Sequence, residues 1–215
     1  MAAQKKAAPA KKAAAGKKAA AGKARPAKDA AAAPAKDAAA TPFLSDVTTL
    51  RARAREEIDK GPVTAAYGAD LKRVLEVLND ALATEIVCVL RYKAHYYGAK
   101  GLNAEPVAAE FLEHAAEEQV HADRLADRID QLGGTPEMNP DTLMARSQTE
   151  YNTPDALLDM IKEDLIAERV VIQSYTETIG WLGHHDPTTR RILEEILAEE
   201  EEHADDMLKL LEHNS

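Results

Sequence analysis

The sequence predicts an all-α protein, an antiparallel four-helix bundle with one long crossover, preceded by a disordered basic tail and a short helix. Apolar residues recur at helical spacing along four long stretches, and strand patterns are essentially absent. The connections after the first and third stretches are short, whereas the middle one is long. The predicted division is a tail (1–41), a short helix with a linker (42–68) and the bundle (69–213).

The N-terminal tail is predicted to be a flexible polycation. It carries ten Lys or Arg and two Asp, so its net charge is +8, whereas the other 17 basic and 35 acidic residues give the rest of the chain −18. Alanine makes up about half of the tail, and no long apolar side chain follows Met1 until Phe43. Such a segment cannot bury enough surface to offset the entropy of ordering it.

Lysine pairs recur at a regular spacing in this tail, a pattern that resembles the lysine/alanine-rich tails of linker histones and of some bacterial nucleoid proteins. We expect the tail to neutralise DNA phosphates by counterion release, without sequence specificity. A solubilising tail, or an arm attracted to the acidic body, is the alternative. The residues expected to contact DNA are Lys5, Lys6, Lys11, Lys12, Lys17, Lys18, Lys23 and Arg25.

Helix ends can be assigned along the body of the chain. Ser45 or Asp46 can cap a short helix that runs to about Lys60, before Gly61-Pro62. Thr153-Pro154, a cap followed by a proline at the first helical position, predicts the start of the third long helix. A structureless loop as long as the middle connection, about residues 133–152, normally counts against an assignment, but this connection has about the length needed to return along the bundle. The four long helices are expected at about 70–98, 105–132, 153–182 and 186–212.

Two glutamates, Glu85 and Glu168, have mostly apolar neighbours one helical turn away in both directions. Both side chains should therefore point into the bundle. A buried carboxylate without a partner takes up a proton or costs several kcal/mol. The bundle interior should contain groups that compensate these two charges.

The second and fourth long helices each supply a Glu-x-x-His pair, with the carboxylate and the imidazole on one helical face. One such pair is weak evidence, but two pairs, each at almost the same distance along the chain from an inward glutamate, are hard to obtain by chance. A tyrosine also lies two helical turns after each inward glutamate. Tyr92 and Tyr175 are expected to donate their hydroxyls to ligand carboxylates, with a redox role as the alternative. The predicted metal ligands are Glu85, Glu118, His121, Glu168, Glu200 and His203.

Four carboxylates and two imidazoles suit two divalent cations bridged by glutamates. This ligand set favours Fe or Mn over a thiolate metal, and Zn would also bind. The single cysteine, Cys88, excludes an internal disulfide and a cysteine-based metal cluster within the chain, and is expected to be a buried, inert thiol. The other five histidines are expected at the surface or in packing, and Trp181 in packing.

In the stretches around these ligands the sequence resembles the bacterioferritins and, more broadly, the ferritin and Dps-like mini-ferritin group. The resemblance covers about residues 70–212 and implies a ferritin-like fold. It implies Fe(II) oxidation by O₂ or H₂O₂ at a centre of two irons per subunit, and ferric iron storage in a hollow homo-oligomer that limits oxidative damage. Alternatives are mainly nucleoid compaction through DNA binding, or a di-manganese catalase or small di-iron oxidase on the same fold.

The sequence departs from that family in two places. Bacterioferritins bind haem through a methionine directly after the second-helix glutamate, and Gln119 occupies that position here, so haem is not expected. The segment from His203 to Ser215 leaves no room for the fifth helix of 24-subunit shells, so 12 subunits are expected. No apolar run approaches the roughly 20 residues of a membrane span, and lysines punctuate the start of the chain. A cytoplasmic protein, associated with the nucleoid through its tail, is expected.

Overall fold

The computed structural model describes residues 44–102 and 104–214. Within those residues there are six α-helices and one 3₁₀ turn, and none of them lies in a strand. The chain divides into two units, Met1–Leu44 and Ser45–Ser215, and these helices all belong to the second. The predicted disordered tail and its DNA-contacting lysines lie outside the described residues.

The short helix α1, Val47–Glu56, begins at Asp46, whose carboxylate accepts hydrogen bonds from two backbone N–H groups of the first turn. Asp46 is therefore the cap, not Ser45. The α-helix was expected to reach Lys60, but it ends at Glu56 and a 3₁₀ turn, Ile58–Lys60, follows. None of the residues of α1 is buried, so its last turn lacks tertiary packing that would prolong it.

Two long helical hairpins form the bundle. Their helices are α2 (Leu71–Gly98), α3 (Ala104–Gln131), α5 (Leu157–Leu182) and α6 (Pro187–His213). Short connections make the two helices of each hairpin antiparallel, which confirms the predicted ferritin-like four-helix bundle. Gly183, at φ 51°, ends α5 in a conformation that favours glycine, and the Asp186 side chain caps α6.

The long crossover between the hairpins contains a short helix, α4, Pro140–Arg146, for which no prediction was made from the sequence. Asn139 caps this helix and Pro140 occupies its first position. The Arg146 guanidinium donates to the carbonyl of Asn79 on α2 and to that of Glu137, both at 2.7 Å. These bonds attach the crossover to α2.

Helix α5 begins at Leu157, later than the predicted start at Thr153-Pro154. The preceding backbone is held by α2 instead, because Arg91 donates to the carbonyl of Glu150 at 3.3 Å and His95 Nε2 lies 3.1 Å from the carbonyl of Asn152. These bonds tie the segment that leads into the helix to α2. The observed N-cap, Ala156, makes no side-chain cap bond.

The bundle core consists of two main apolar clusters. One contains Leu78, Leu125 and Ile196, and the other contains Phe111 and Met207. Along α3, α5 and α6, the predicted metal ligands lie between the residues of one cluster and those of the other. The two clusters therefore enclose the polar centre along the bundle.

Candidate metal centre

The structure brings all six predicted ligands together in the bundle interior. Each of the four long helices contributes, because the inward glutamates and both Glu-x-x-His pairs face the bundle axis. None of the six residues is more than 3% exposed. The residues are Glu85 on α2, Glu118 and His121 on α3, Glu168 on α5, and Glu200 and His203 on α6.

The six side chains form two overlapping groups of four, with one ligand atom of each residue within 4.8 Å of the others in its group. Glu118 and Glu200 belong to both groups. Glu85 and His121 complete one group, and Glu168 and His203 complete the other. Two shared carboxylates, with one glutamate and one histidine at each end, are the arrangement that a bridged pair of cations requires.

Each histidine turns Nδ1 toward the shared glutamates. His121 Nδ1 lies 3.0 Å from Glu200, and its Nε2 donates to Glu199 at 2.6 Å. His203 Nδ1 lies 3.5 Å from Glu200, and its Nε2 donates to Glu117 at 2.9 Å. A carboxylate on the outer nitrogen fixes the ring orientation and leaves the inner nitrogen as a metal ligand.

The two predicted tyrosines link the hairpins. Tyr92 on α2 donates its hydroxyl to Glu168 at 2.5 Å, and Tyr175 on α5 donates to Glu85. Each tyrosine thus holds the inward glutamate of the other hairpin by one oxygen. The second carboxylate oxygen of each glutamate has no hydrogen-bond partner and remains available to a cation.

The electrostatics of this cluster show competition for protons. Burial, followed by the charge of Glu200, raises the pKa of Glu85 and of Glu168 well above the usual range. Burial also opposes ionisation of Glu118, but hydrogen bonds outweigh it and lower the pKa of that carboxyl. Hydrogen bonds to buried carboxylates likewise overcome burial and raise the pKa of His203 to about 12. A raised pKa favours the protonated form of a carboxyl group, and a divalent cation that binds the carboxylate would displace that proton.

The donor atoms present fit a dinuclear metal site. Among the described residues, the buried side-chain nitrogens and oxygens without a hydrogen-bond partner all belong to this centre, except for Arg146 Nε. Buried polar atoms are normally hydrogen bonded, so this concentration is unusual for a purely structural cluster. Carboxylate oxygen and imidazole nitrogen suit Fe, Mn or Zn.

The sequence-based prediction gave no role to His114, which lies against the centre. His114 is 2% exposed, and its ring stacks on that of His203 with centroids 4.1 Å apart. Its Nδ1 lies 3.2 Å from the Tyr92 hydroxyl. Burial, followed by the charge of His203, lowers the pKa of His114 to about 4. Glu110 and Glu118 lie one turn away from His114 on either side. This pattern in the sequence could have indicated that His114 lies near the centre.

A second missed group is the buried trio of Arg91, His95 and Asp164. The Arg91 guanidinium donates to Asp164 at 2.8 Å, and His95 Nδ1 lies 2.7 Å from the other oxygen of that carboxylate. All three side chains are at most 1% exposed. Arg91 precedes Tyr92 and Asp164 lies one turn before Glu168, so the trio fixes the backbone from which both project.

The cysteine, the three remaining histidines and the tryptophan belong to none of these ligand groups. Cys88 is buried, and burial raises the pKa of its thiol, in keeping with the predicted inert role. His184, His185 and His213 lie at or near the surface. Trp181 is 47% exposed, so it packs only in part.

A four-helix bundle of two hairpins around a buried carboxylate and histidine centre defines the ferritin-like class of protein. The family described as "Ferritin-like domain" matches residues 75–214. The chain belongs to this family. None of the helices in the described ranges is long and apolar enough to cross a membrane.

Relatives and solved structures agree with this assignment. The DNA protection during starvation protein of Halobacterium salinarum is 30% identical over 176 residues, covering 78% of this chain and 94% of that protein. The dodecameric thioferritin, a bacterioferritin-related protein of Bacteroides fragilis, has a TM-score of 0.66 and 33% identity, over 68% of this chain and 88% of that one. The bacterioferritin of Desulfovibrio desulfuricans, described with a diiron site, has a TM-score of 0.59 and 26% identity, over 66% and 80%.

Proposed function

We propose that each subunit binds two Fe(II) ions in the bundle and oxidises them with O₂ or H₂O₂. The observation that carries this proposal is the pair of overlapping ligand groups that share Glu118 and Glu200. The similarity to a bacterioferritin described with a diiron site supports iron over other metals. Iron is the substrate here, and it supplies the electrons that reduce the oxidant.

The side chains of the centre would act as bridging ligands, as terminal ligands or as groups that position the ligands. Glu118 and Glu200 would bridge the two ions, since they belong to both groups. Glu85 with His121, and Glu168 with His203, would complete the two ends. Glu117, Glu199 and the two tyrosines keep these ligands in position through the hydrogen bonds described above. The surrounding apolar clusters limit the access of water.

We further propose that the oxidised iron is stored inside a hollow homo-oligomer, with 12 subunits favoured over 24. Support comes from the similarity to a bacterioferritin-related protein described as dodecameric, and from relatives named as bacterioferritins. Removal of Fe(II) and peroxide would limit oxidative damage. Mass measurement of the native assembly, together with its iron content, tests this part of the proposal.

Aerobic iron loading tests oxidation and storage together. Fe(II) is added in increments to the full-length protein, and ferric product is followed by absorbance and bound iron by elemental analysis. The wild type should oxidise Fe(II) rapidly and retain many irons per subunit. Glu118→Gln should do neither, while Glu202→Gln, an exposed neighbour of the motif on α6, should match the wild type. Equal oxidation by Glu118→Gln would refute the proposed centre.

The same loading experiment separates a store from a manganese catalase. A catalase on this fold would stay near two metals per subunit and, once loaded with Mn(II), would disproportionate H₂O₂. A store continues to accumulate iron after the two sites are filled. We expect accumulation, and manganese-loaded protein should release little O₂ from peroxide.

A second function, non-specific DNA binding, is proposed for the N-terminal tail. The charge contrast carries it, +8 over residues 1–41 against −18 over the rest of the chain. The acidic body should repel DNA, so binding should depend on the tail and weaken as salt rises. Deletion of residues 1–41 should abolish the DNA mobility shift and leave Fe(II) oxidation unchanged. Equal DNA binding by the full-length and truncated proteins at low salt would show that the tail is not the DNA-binding segment.

A further inference from the structure

A second cluster of potential ligands lies beside the metal centre, near His203. Glu110 and His114 are one turn apart on α3, and Asp206 follows His203 on α6. One ligand atom from each lies within 4.8 Å of the others. The Glu110 and Asp206 side chains are 33% and 37% exposed, whereas that of His114 is 3% exposed. The acidic side of this cluster therefore faces solvent and its imidazole faces the interior.

The hydrogen bonding of His114 decides whether its Nε2, which faces Glu110, has a lone pair. Tyr92 has one hydroxyl proton, which it donates to Glu168. With Glu168 ionised, as a cation ligand is, the Tyr92 oxygen accepts the proton of His114 Nδ1, 3.2 Å away, and Nε2 of the neutral imidazole then has a lone pair for a cation. Nε2 lies 3.5 Å from Glu110 Oε1. A lone pair and a carboxylate repel each other unless a cation lies between them.

A third group of side chains connects this cluster to the metal centre. His114, Glu117 and His203 also bring one ligand atom each to within 4.8 Å of one another. His114 belongs to the outer cluster as well, and His203 belongs to the inner centre as well. The three groups thus form a continuous series of ligands from half-exposed acids to a fully buried site.

The other half of the centre lacks this series. The sequences of α3 and α6 can be aligned on their Glu-x-x-His pairs. This alignment gives, for each residue of the outer cluster, the residue at the matching position of the other helix. The counterparts of Glu110, His114 and Asp206 are Ile192, Ile196 and Arg124. Ile196 is buried in the apolar core, and Arg124 brings a positive charge that is ion-paired with two glutamates. Among the described residues, the continuous series of ligand groups therefore leads to the centre from the His203 side.

We propose that Glu110, His114 and Asp206 form a third cation site, which takes Fe(II) from solvent and supplies it to the Glu168 half of the centre. Only the identity of the cation as Fe(II) rests on the proposed function. One imidazole and two carboxylates suit Fe(II), Co(II) and Zn(II) alike. Lys209 contacts Asp206 Oδ1 at 2.9 Å, so the cation would bind the other oxygen of that carboxylate.

Calorimetric titration of the metal-free, full-length protein with Co(II) tests the site without any turnover. The wild type should bind three Co(II) per subunit. The double variant Glu110→Gln/Asp206→Asn should bind the third at least about tenfold more weakly. The matched control, Glu113→Gln/Asp205→Asn, removes the same charge from neighbouring positions on the same helices and also removes one Lys209 contact, and should bind three.

Two further measurements separate this site from the inner centre. Glu85→Gln/Glu168→Gln weakens both inner positions and should retain the outer one, so a failure of the proposed ferroxidase function leaves the third site measurable. At low Fe(II), the initial oxidation rate of Glu110→Gln/Asp206→Asn should fall about tenfold while the total Fe(II) oxidised is unchanged. A third Co(II) that the double variant binds as well as the wild type, or a wild type that binds only two, would overturn the site. An unchanged oxidation rate in a variant that has lost the third Co(II) would overturn its role in uptake.

Discussion

The two halves of the metal centre have the same ligands and different surroundings. Each half contributes one inward glutamate, one Glu-x-x-His pair, one tyrosine and one outer carboxylate that orients the histidine. Around the His203 end, however, lie His114 and two half-exposed acids, whereas apolar side chains and an arginine occupy the matching positions at the His121 end. The repeat therefore explains how metal is held, and the departures from it indicate how metal enters.

The same contrast holds where the inward glutamates are anchored. Arg91, His95 and Asp164 form a buried ionic trio beside Tyr92 and Glu168. In the other half, the matching positions carry small, uncharged residues, namely Ser174, Thr178 and Ala81. The trio also holds the crossover through the carbonyls of Glu150 and Asn152. The Glu168 half thus has a buried ionic trio beside it, and the matching positions of the Glu85 half carry no ionisable side chain.

The largest effect is expected from the residues that both halves share. Glu118→Gln or Glu200→Gln removes a ligand from both positions at once, so both metals should be lost and Fe(II) oxidation should fall at least about 100-fold. Glu85→Gln and Glu168→Gln each remove a ligand from one end and should weaken mainly one of the two inner equivalents. Co(II) titration and oxidation kinetics measure both. Equal losses of both equivalents in all four variants would contradict the assignment of shared and terminal ligands.

The next effect is on stability and should be confined to one half. Asp164→Ala leaves Arg91 and His95 buried without their partner, so the free energy of unfolding should fall by about 3–5 kcal/mol. Asp159→Ala breaks an exposed pair with Lys162 and should cost at most about 1 kcal/mol. Urea denaturation of the metal-free proteins at one protein concentration compares the two. Similar midpoints for both variants would mean that the trio does not stabilise the bundle.

Substitution of the two tyrosines should lower Co(II) affinity by smaller and unequal amounts. Tyr175→Phe frees one oxygen of Glu85, and Co(II) affinity should fall about tenfold. Tyr92→Phe frees Glu168 and also removes the partner of His114 Nδ1, so its loss should be larger. Competition with a chelator measures both affinities. If Tyr175→Phe is the more damaging substitution, the proposed asymmetry is wrong.

The Co(II) affinity of the two halves of the centre should depend on pH in the same way. Glu85 and Glu168 both have a raised pKa, so both hold protons that a metal must displace. Because lower pH favours the protonated carboxyls, Co(II) affinity of both inner equivalents should fall as pH falls, by roughly three- to tenfold per pH unit. Calorimetry in buffers of different ionisation enthalpy measures the released protons. Proton release with only one of the two equivalents would show that the halves titrate differently.

The sequence was sufficient to predict the repeated parts of the molecule. Glu85 and Glu168 could be recognised because apolar residues surround them along their own helices, and the Glu-x-x-His pairs because each lies within one turn. Partners that depend on the packing of distant helices could not be predicted in this way. Asp164 meets Arg91 only across two hairpins, and the carbonyls of Glu150 and Asn152 likewise bond to side chains of the distant helix α2. His114 was missed because its stacking on His203 joins two separate helices.

The most direct test of the account is an anomalous diffraction map from crystals of the full-length protein soaked with Co(II). We expect two strong peaks per subunit inside the bundle, one between Glu85 and His121 and one between Glu168 and His203, with Glu118 and Glu200 contacting both. A weaker peak is expected beside His114. Peaks only on the outer surface of the bundle, or a single interior peak that the shared glutamates do not touch, would contradict the dinuclear centre.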